Sequence, residues 1–373
     1  MAGAGLADLK RTYAKRRKNA FNAAVRGAKV GAMLITRPAD VRWLTGFGGE
    51  DSFVVVNRTG GVLITDSRFQ EQAPRQCPGL DIHVRQGPIF AAAAEVARKL
   101  RTKAIAVQAE VMPVGGAQTL TKLLGKAPVP ISNIVGPLRA VKDNGEIRSI
   151  TKAARVAQKA FRSLMDMGAK WWIGKTERHI SAELEYRMRL EGAEKPSFET
   201  IVACGANASV PHHRPGSSRI RENSLVLIDW GAMVEGYCSD LTRVVFTGRI
   251  PPKLERVYQV VLQAQKVGIS ACRSGVSAAK VDESARDVIT RAGYGEYFIH
   301  GLGHGIGLEV HEQPAVSRGV KKALRKGMVV TVEPGIYLPG VGGVRIEDDV
   351  LVTPEGPRVL TSLPKAIKAM VLR

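Results

Sequence analysis

Four acidic residues stand within runs that otherwise read as buried strands, and no other feature restricts the fold of this chain so strongly. Asp229 follows LVLI and precedes Trp230–Gly231–Ala232, and Asp240 comes eleven residues later in YCSDLTRVVF. Glu333 follows MVVTV, and Glu347 comes fourteen residues later in GGVRIEDDVLV. A carboxylate taken into a sheet interior is costly unless it is paired or binds a metal. A lone strand aspartate is most often a turn or surface residue, but four in one region call for a common cation. The turns at Val234–Gly236 and Pro339–Gly343 suit hairpins, which would bring the members of each pair together.

Between the two acidic pairs lies HGLGHGIGLEVHE, where His300, His304 and His311 are threaded with glycines. Glycine permits close backbone approach and conformations that other residues avoid. One imidazole beside four carboxylates makes an oxygen-rich site, better suited to manganese, cobalt or iron than to structural zinc. Four carboxylates balance two divalent ions, so a dinuclear centre is expected. Two ions about 3.5 Å apart activate water and polarise a carbonyl together. A single histidine or a single GHG string would say little. The ordered set of Asp, Asp, GHG, VEPG and RIED is specific.

The rest of the composition bounds this reading. A chain of 373 residues is long for a single core, which favours two domains. Its 45% hydrophobic and 24% charged residues are those of a soluble globular protein. No stretch approaches the roughly 20 apolar residues of a membrane span. The basic N-terminus is not followed by an uninterrupted apolar segment, since Arg26 and Lys29 interrupt it, so a cytoplasmic protein without a signal peptide is expected. Cys77, Cys204, Cys238 and Cys272 are widely separated and read as small buried thiols. The net charge of +21 would attract nucleic acid, but apart from Lys10–Lys18 the cations are dispersed and no RNA-reading aromatic motif accompanies them. A generally basic surface is the expectation, with neither nucleic acid nor membrane as partner.

Strand-like and helix-like segments alternate in the first part, with Val30–Thr36, a hairpin turning at Arg58–Gly60, a helix at Pro88–Arg101, a strand at Lys103–Val107 and a helix at Gly116–Leu124. This predicts an α/β domain with a mostly parallel sheet. A break at Val135–Asn144 precedes a helical pattern carried by Ile147, Ile150, Ala154, Ala157, Phe161 and Leu164. Beyond it, helices and strands are grouped, which predicts an α+β domain. The divisions expected are a basic, solvated arm over residues 1–20, an N-terminal domain over 21–143 and a catalytic domain over 144–373.

The strings LIDWGA, GYCSDLTR, GLGHGIGLEVHE, VVTVEPGIY and GVRIEDD resemble the pita-bread metallopeptidases, the group of methionine aminopeptidase, aminopeptidase P and prolidase. FETIVACGANASVPHHRP resembles the substrate-histidine strand of the same group. VRWLTGFGG and LITDSRF resemble a creatinase-type N-terminal domain, which methionine aminopeptidases lack. The resemblance therefore implies a creatinase-like α/β domain followed by a pita-bread α+β domain, and the proline-specific branch.

Residue by residue, the resemblance implies that Asp229 chelates one metal, that Asp240 and Glu347 bridge both, and that His304 and Glu333 bind the other. The two divalent ions would be manganese first, with cobalt, iron or zinc as alternatives. Glu333 would also accept a proton from the attacking water. His212 and His311 would hydrogen-bond the scissile carbonyl. Arg345 would orient carboxylates, His300 would support His304 or its neighbours, and His213 would line the pocket at a position where the family also uses tyrosine. Proline offers no amide N–H and fixes φ, so ordinary proteases reject the bond before it. Hydrolysis of the N-terminal Xaa-Pro bond of peptides, as an Xaa-Pro aminopeptidase and a likeness-based homodimer, is the activity implied first. The alternative is an Xaa-Pro dipeptidase (prolidase), whose relatives place arginine four residues after the second histidine, where this chain has Ala315 and offers Arg318 three residues on. A non-catalytic nucleic-acid- or protein-binding module ranks lower, because no ligand position is lost.

Overall fold

The computed structural model describes residues 5–102 and 104–372. The chain divides into two compact units, Met1–Arg139 and Ala140–Arg373. Residues 1–4 of the expected arm, the expected strand start at Lys103, and Arg373 lie outside the described residues.

In the first unit, helix α1 (Leu6–Gly27) leads into β1 (Ala32–Ile35), α2 (Pro38–Thr45), β2 (Phe53–Asn57) and β3 (Gly61–Thr65). Then come α3 (Gln72–Gln76), β4 (Asp81–Val84), α4 (Ile89–Lys99), β5 (Ile105–Gln108), α5 (Val114–Leu124), β6 (Val129–Ile131) and α6 (Gly136–Arg139). The sheet runs β4-β3-β2-β1-β5-β6. It is mixed rather than mostly parallel: β2 is antiparallel to both β1 and β3, because Asn57 closes a tight turn by accepting hydrogen bonds from the amides of Thr59 and Gly60. Leu34, Val55, Ile64 and Val107 pack with Ala93, Ala97 and Leu120 of α4 and α5.

The Lys10–Lys18 stretch, expected as a solvated arm, is helical and belongs to this unit. Ala20, Phe21 and Ala24 give α1 a buried face. Arg16 and Arg17 are themselves buried and donate to the carbonyls of Trp43 at 3.0 Å and Leu44 at 2.9 Å. These carbonyls lie in the last turn of α2, so the two guanidiniums reach a helix C-terminus from another element.

The second unit repeats one plan twice. The first copy pairs α7 (Asn144–Met165) and, after a short α8 (Gly168–Trp172), α9 (Glu177–Leu190); the strands are β7 (Lys195–Pro196), β8 (Ile201–Cys204), β9 (Leu225–Trp230), β10 (Ala232–Val234), β11 (Tyr237–Cys238) and β12 (Leu241–Phe246). The second copy pairs α10 (Pro252–Ala271) and α11 (Ala278–Arg291) before β13 (Gly303–Gly305), β14 (Glu312–Val316), β15 (Val329–Val332), β16 (Gly335–Leu338), β17 (Gly342–Arg345), β18 (Asp348–Val352) and β19 (Pro357–Val359). The main ladders are β12-β9-β8 and β14-β13-β15-β18-β19.

Helix α7 starts where Asp143 and Glu146 form a reciprocal capping box. Its apolar positions then face inward, and Phe161 stacks on Trp230 of β9 with ring centroids 4.4 Å apart. Burying side chains of this size contributes about 1.5–3 kcal/mol each. All four cysteines are free and buried. Among the described residues, no helix is long and apolar enough to cross a membrane.

Three strand-like runs, over residues 236–245, 328–333 and 343–352, are interrupted or end early, and each break falls at an acidic residue. Asp240 lies between β11 and β12, Glu333 between β15 and β16, and Glu347 between β17 and β18. The cause is a change of ladder partner: β12 and β18 pair with β9 and β15, whereas β11 and β17 pair with β10 and β16. Only Asp229 is inside its strand, opposite Thr242.

Candidate metal centre

The two strand sets bring the acidic residues together in a cavity of ≈ 460 Å³. Asp229, Asp240, Glu333, Glu347 and His304 all line it, as do His212, His213, His300, His311 and Arg345. One potential ligand atom from each of Asp240, His304 and Glu347 lies within 4.8 Å of the other two. His304 Nε2 is 3.3 Å from Glu333 and 3.7 Å from Asp240. Its Nδ1 is 3.2 Å from the Gly305 carbonyl; without a cation Nε2 also carries a proton toward Glu333, and a bound cation would take that proton's place.

The charge balance of this cluster calls for cations. Burial pushes Asp240 well above its ordinary value, and the negative charges of Glu347, Asp229 and Glu333 add to the effect. Glu347 is raised well above its own for the same reasons, burial first and then Glu333 and Asp229. Asp229 is raised by burial, against the opposing pull of Arg345. Burial acts on Glu333 in the same direction, but the hydrogen bond and charge of His304 outweigh it and hold this carboxyl low. One oxygen each of Asp229, Asp240 and Asp349 is buried with no hydrogen-bond partner. Orphaned carboxylate oxygens are costly, and bound divalent ions would remove both the repulsion and the orphans. The donor set, one imidazole among carboxylates, is that of a hard-to-borderline divalent cation. The residues present fit such ions.

Neighbouring side chains fix the carboxylates. Arg345 donates to Asp229 at 2.6 Å, to Thr242 Oγ1 at 3.0 Å and to the Tyr337 hydroxyl at 2.7 Å. Thr242 in turn donates to Glu347 at 2.6 Å. Thr331 donates to Glu333 at 3.1 Å and accepts from the His304 amide at 3.0 Å. His311 sits edge-on to His304 with ring centroids 4.1 Å apart. His212 lies at the solvent-exposed side of the cavity.

The model of metallopeptidase family M24 matches residues 148–354, and that of the creatinase/prolidase N-terminal domain matches residues 17–141. The chain belongs to metallopeptidase family M24. It is 41% identical over 257 residues to an Xaa-Pro dipeptidase of Pyrococcus horikoshii, covering 69% of this chain and 72% of that one. Two solved structures are each 36% identical to it: an Xaa-Pro dipeptidase from Bacillus anthracis, with a TM-score of 0.91 over 97% of this chain and 100% of that one, and an X-Pro aminopeptidase from Thermotoga maritima, with 0.86 over 94% and 99%. The architecture is thus a creatinase-type N-terminal domain followed by the M24 pita-bread domain.

Within this M24 domain, two of the cavity histidines make contacts that the sequence did not specify. The His300 ring does not bond His304: its Nε2 is 2.9 Å from the Tyr337 hydroxyl and its Nδ1 is 2.8 Å from the Gly301 carbonyl. Arg345, Tyr337 and His300 therefore form one donor chain along the cavity wall. His213 lines the cavity, but its Nε2 is 2.8 Å from Glu177. Three other residues of the site escaped the sequence reading. They are Tyr337, Thr242 and Asp349, none of which was singled out. Asp349 accepts the Asp240 amide at 3.2 Å, and burial pushes it up to about 8 despite that bond. The adjacent acids at Asp348 and Asp349 were the one available signal.

Proposed function

We propose that this M24 metallopeptidase hydrolyses the peptide bond in front of proline, with two divalent cations held by Asp229, Asp240, His304, Glu333 and Glu347. The observation that carries the reading is the meeting of Asp240, His304 and Glu347 within 4.8 Å, beside buried carboxylate oxygens that have no other partner. When bound, the cations supply Lewis acidity toward the scissile carbonyl and a more acidic water. The chain's own residues do the rest. Glu333, beside the cations, is ionised, accepts the proton of the attacking water and returns it to the proline nitrogen as the C–N bond breaks. His311, pushed below its ordinary value by partial desolvation and by His304, is neutral at neutral pH and offers an N–H to the developing oxyanion. His212, also exposed in the cavity lining, offers a second. Thr242 and Arg345 keep Glu347 and Asp229 in place, so little reorganisation accompanies the charge change.

Of the two proline-specific activities, the dipeptidase now has more support than the aminopeptidase that the sequence implied first. The relatives include Xaa-Pro dipeptidases at 36–41% identity. Ala315 is exposed and Arg318 does not line the cavity, but Arg214 does; its side chain is 86% exposed and, among the described residues, its ion pair is with Glu199 at 3.8 Å. It is a cation free to meet a dipeptide carboxylate. The similarity to an X-Pro aminopeptidase keeps longer Xaa-Pro peptides as the second reading. The test compares Gly-Pro with Gly-Pro-Xaa at matched concentration, with added manganese and again after chelation. Faster metal-dependent cleavage of Gly-Pro supports the dipeptidase, and faster cleavage of the tripeptide the aminopeptidase. Cleavage of neither rules out proline specificity.

A further inference from the structure

Most of the cavity wall is made of strands or their junctions, whose ladders hold them in place. The segment that carries His212 is not: a 3₁₀ turn at Gly205–Ser209 is followed by residues 210–216, which form neither helix nor strand. Its position comes from other contacts, among them the burial of Ala208 in the core, and four of its hydrogen bonds converge on one buried side chain. Glu177, the first residue of α9, is fully buried. Its Oε1 accepts the Cys204 amide at 2.8 Å and the Asn207 side-chain amide at 2.9 Å. Its Oε2 accepts the Gly216 amide at 3.0 Å and lies 2.8 Å from His213 Nε2.

One carboxylate thus grips both ends of the segment and its middle. Burial pushes Glu177 up, yet the bonds from Asn207, Cys204, His213 and Gly216 together more than offset this, and it stays below the usual carboxylate range. A carboxylate at a helix start is ordinarily explained by the helix dipole. Here both oxygens are spent on the loop instead. His212 is bracketed by this anchor: His213 on one side bonds Glu177, and on the other the Pro211 carbonyl accepts from Arg345 at 3.4 Å.

We infer that Glu177 is a positioning residue for catalysis, acting through His213 and the Cys204–Gly216 backbone to hold the His212 imidazole at the scissile carbonyl. The inference rests on the role of His212 proposed above. Displacing an oxyanion donor by about 1 Å is enough to slow turnover on the order of 10²-fold.

The test is a double-mutant cycle with the manganese-loaded protein on an Xaa-Pro substrate, following kcat, KM, metal content and Tm. Glu177→Gln keeps the shape but turns one acceptor oxygen into a donor that clashes with the loop N–H groups. It should lower kcat about 10- to 100-fold with metal content retained. In a His212→Ala background the same change should lower kcat by less than about twofold, because the residue it positions is gone. Equal losses in both backgrounds, or loss of metal, would show that Glu177 supports the fold or the ligands and not His212. If Glu177→Gln does not fold, Asn207→Ala removes a single half-buried tether and carries the same cycle, with a kcat loss of about three- to tenfold that vanishes in the His212→Ala background. His212→Ala alone separates the two readings. No loss there removes the proposed role of His212 and this inference with it, whereas a loss there with additive effects removes only the inference.

Discussion

Arg345 Nη2 lies 2.6 Å from one oxygen of Asp229, and the other oxygen of that carboxylate is buried without a hydrogen-bond partner. One contact therefore fixes the carboxylate's orientation and leaves half of it unsatisfied. Such an arrangement is stable only if something else supplies positive charge. The same logic extends to Asp240, one oxygen of which is likewise buried with no partner among the described residues.

Asp240→Ala and Glu347→Ala should each abolish turnover and reduce bound metal. Both remove a carboxylate from the group of three that meets within 4.8 Å. Elemental analysis beside a peptidase assay decides it; near-normal activity and full metal content in Asp240→Ala would remove this residue from the ligand set.

His212→Ala should behave differently. Its side chain lines the cavity, is exposed, and is not one of that group of three. Metal should remain bound while kcat drops roughly 10²–10³-fold, the scale for loss of one oxyanion donor. A proportional loss of metal would instead assign His212 to the ligands.

Tyr337→Phe tests the donor chain along the wall. Its hydroxyl accepts from Arg345 at 2.7 Å and is 2.9 Å from His300, so the change strands a guanidinium N–H and an imidazole nitrogen. A loss of about 1–3 kcal/mol of stability is expected, with kcat lowered and metal retained. Thermal melts and steady-state kinetics on the same preparation check both, and an unchanged Tm would mean that water replaces the hydroxyl.

Asp348 provides a pH signature away from substrate. It is fully buried, ion-paired to Arg243 at 2.8 Å, and accepts from Thr361 and Gln265, with Lys365 also bonded to it. Burial raises its pKa, but Arg243 and Lys365 outweigh this and bring it below the ordinary 3.8. A carboxyl depressed in the folded state adds stability at pH above its unfolded value, and that stability is lost as pH falls through the folded value. Asp348→Asn should therefore cost about 3–5 kcal/mol at pH 7, since it leaves buried Arg243 unpaired. The gap in Tm between variant and parent should shrink as pH falls below 4. A gap constant from pH 7 to 3 would contradict the ion-pair account.

Arg17→Ala should destabilise the N-terminal unit by about 1–3 kcal/mol by uncovering the Leu44 carbonyl at the end of α2. Urea unfolding of the full chain, followed by a probe in that unit, measures it. Lys18→Ala, on the exposed side of the same helix, serves as the neutral control.

Some of this was legible in the residues alone because its cause is local. Acids in apolar runs stand out whatever the tertiary structure, and α7 is written out by Asp143, Glu146 and a three-four apolar spacing. The N-terminal helix was missed because its two inward cations, Arg16 and Arg17, are satisfied by carbonyls 27 residues away. Charge density there looked like a solvated arm. Glu177 was missed for a similar reason: Thr176–Glu177 is an ordinary helix start, and nothing in the string shows that its oxygens turn to residues 204–216.

The sequence by itself determined the donor chemistry of the centre, the helix pairs and the hairpins, since these follow from residue type and short-range spacing. Tertiary structure alone decided which acids leave their ladders, which oxygens are left without partners, and which side chains hold His212 and Asp229 in place. The physical reason is that burial and hydrogen-bond satisfaction depend on elements more than a hundred residues apart, such as Asp229 and Arg345, and no local pattern encodes which distant group arrives.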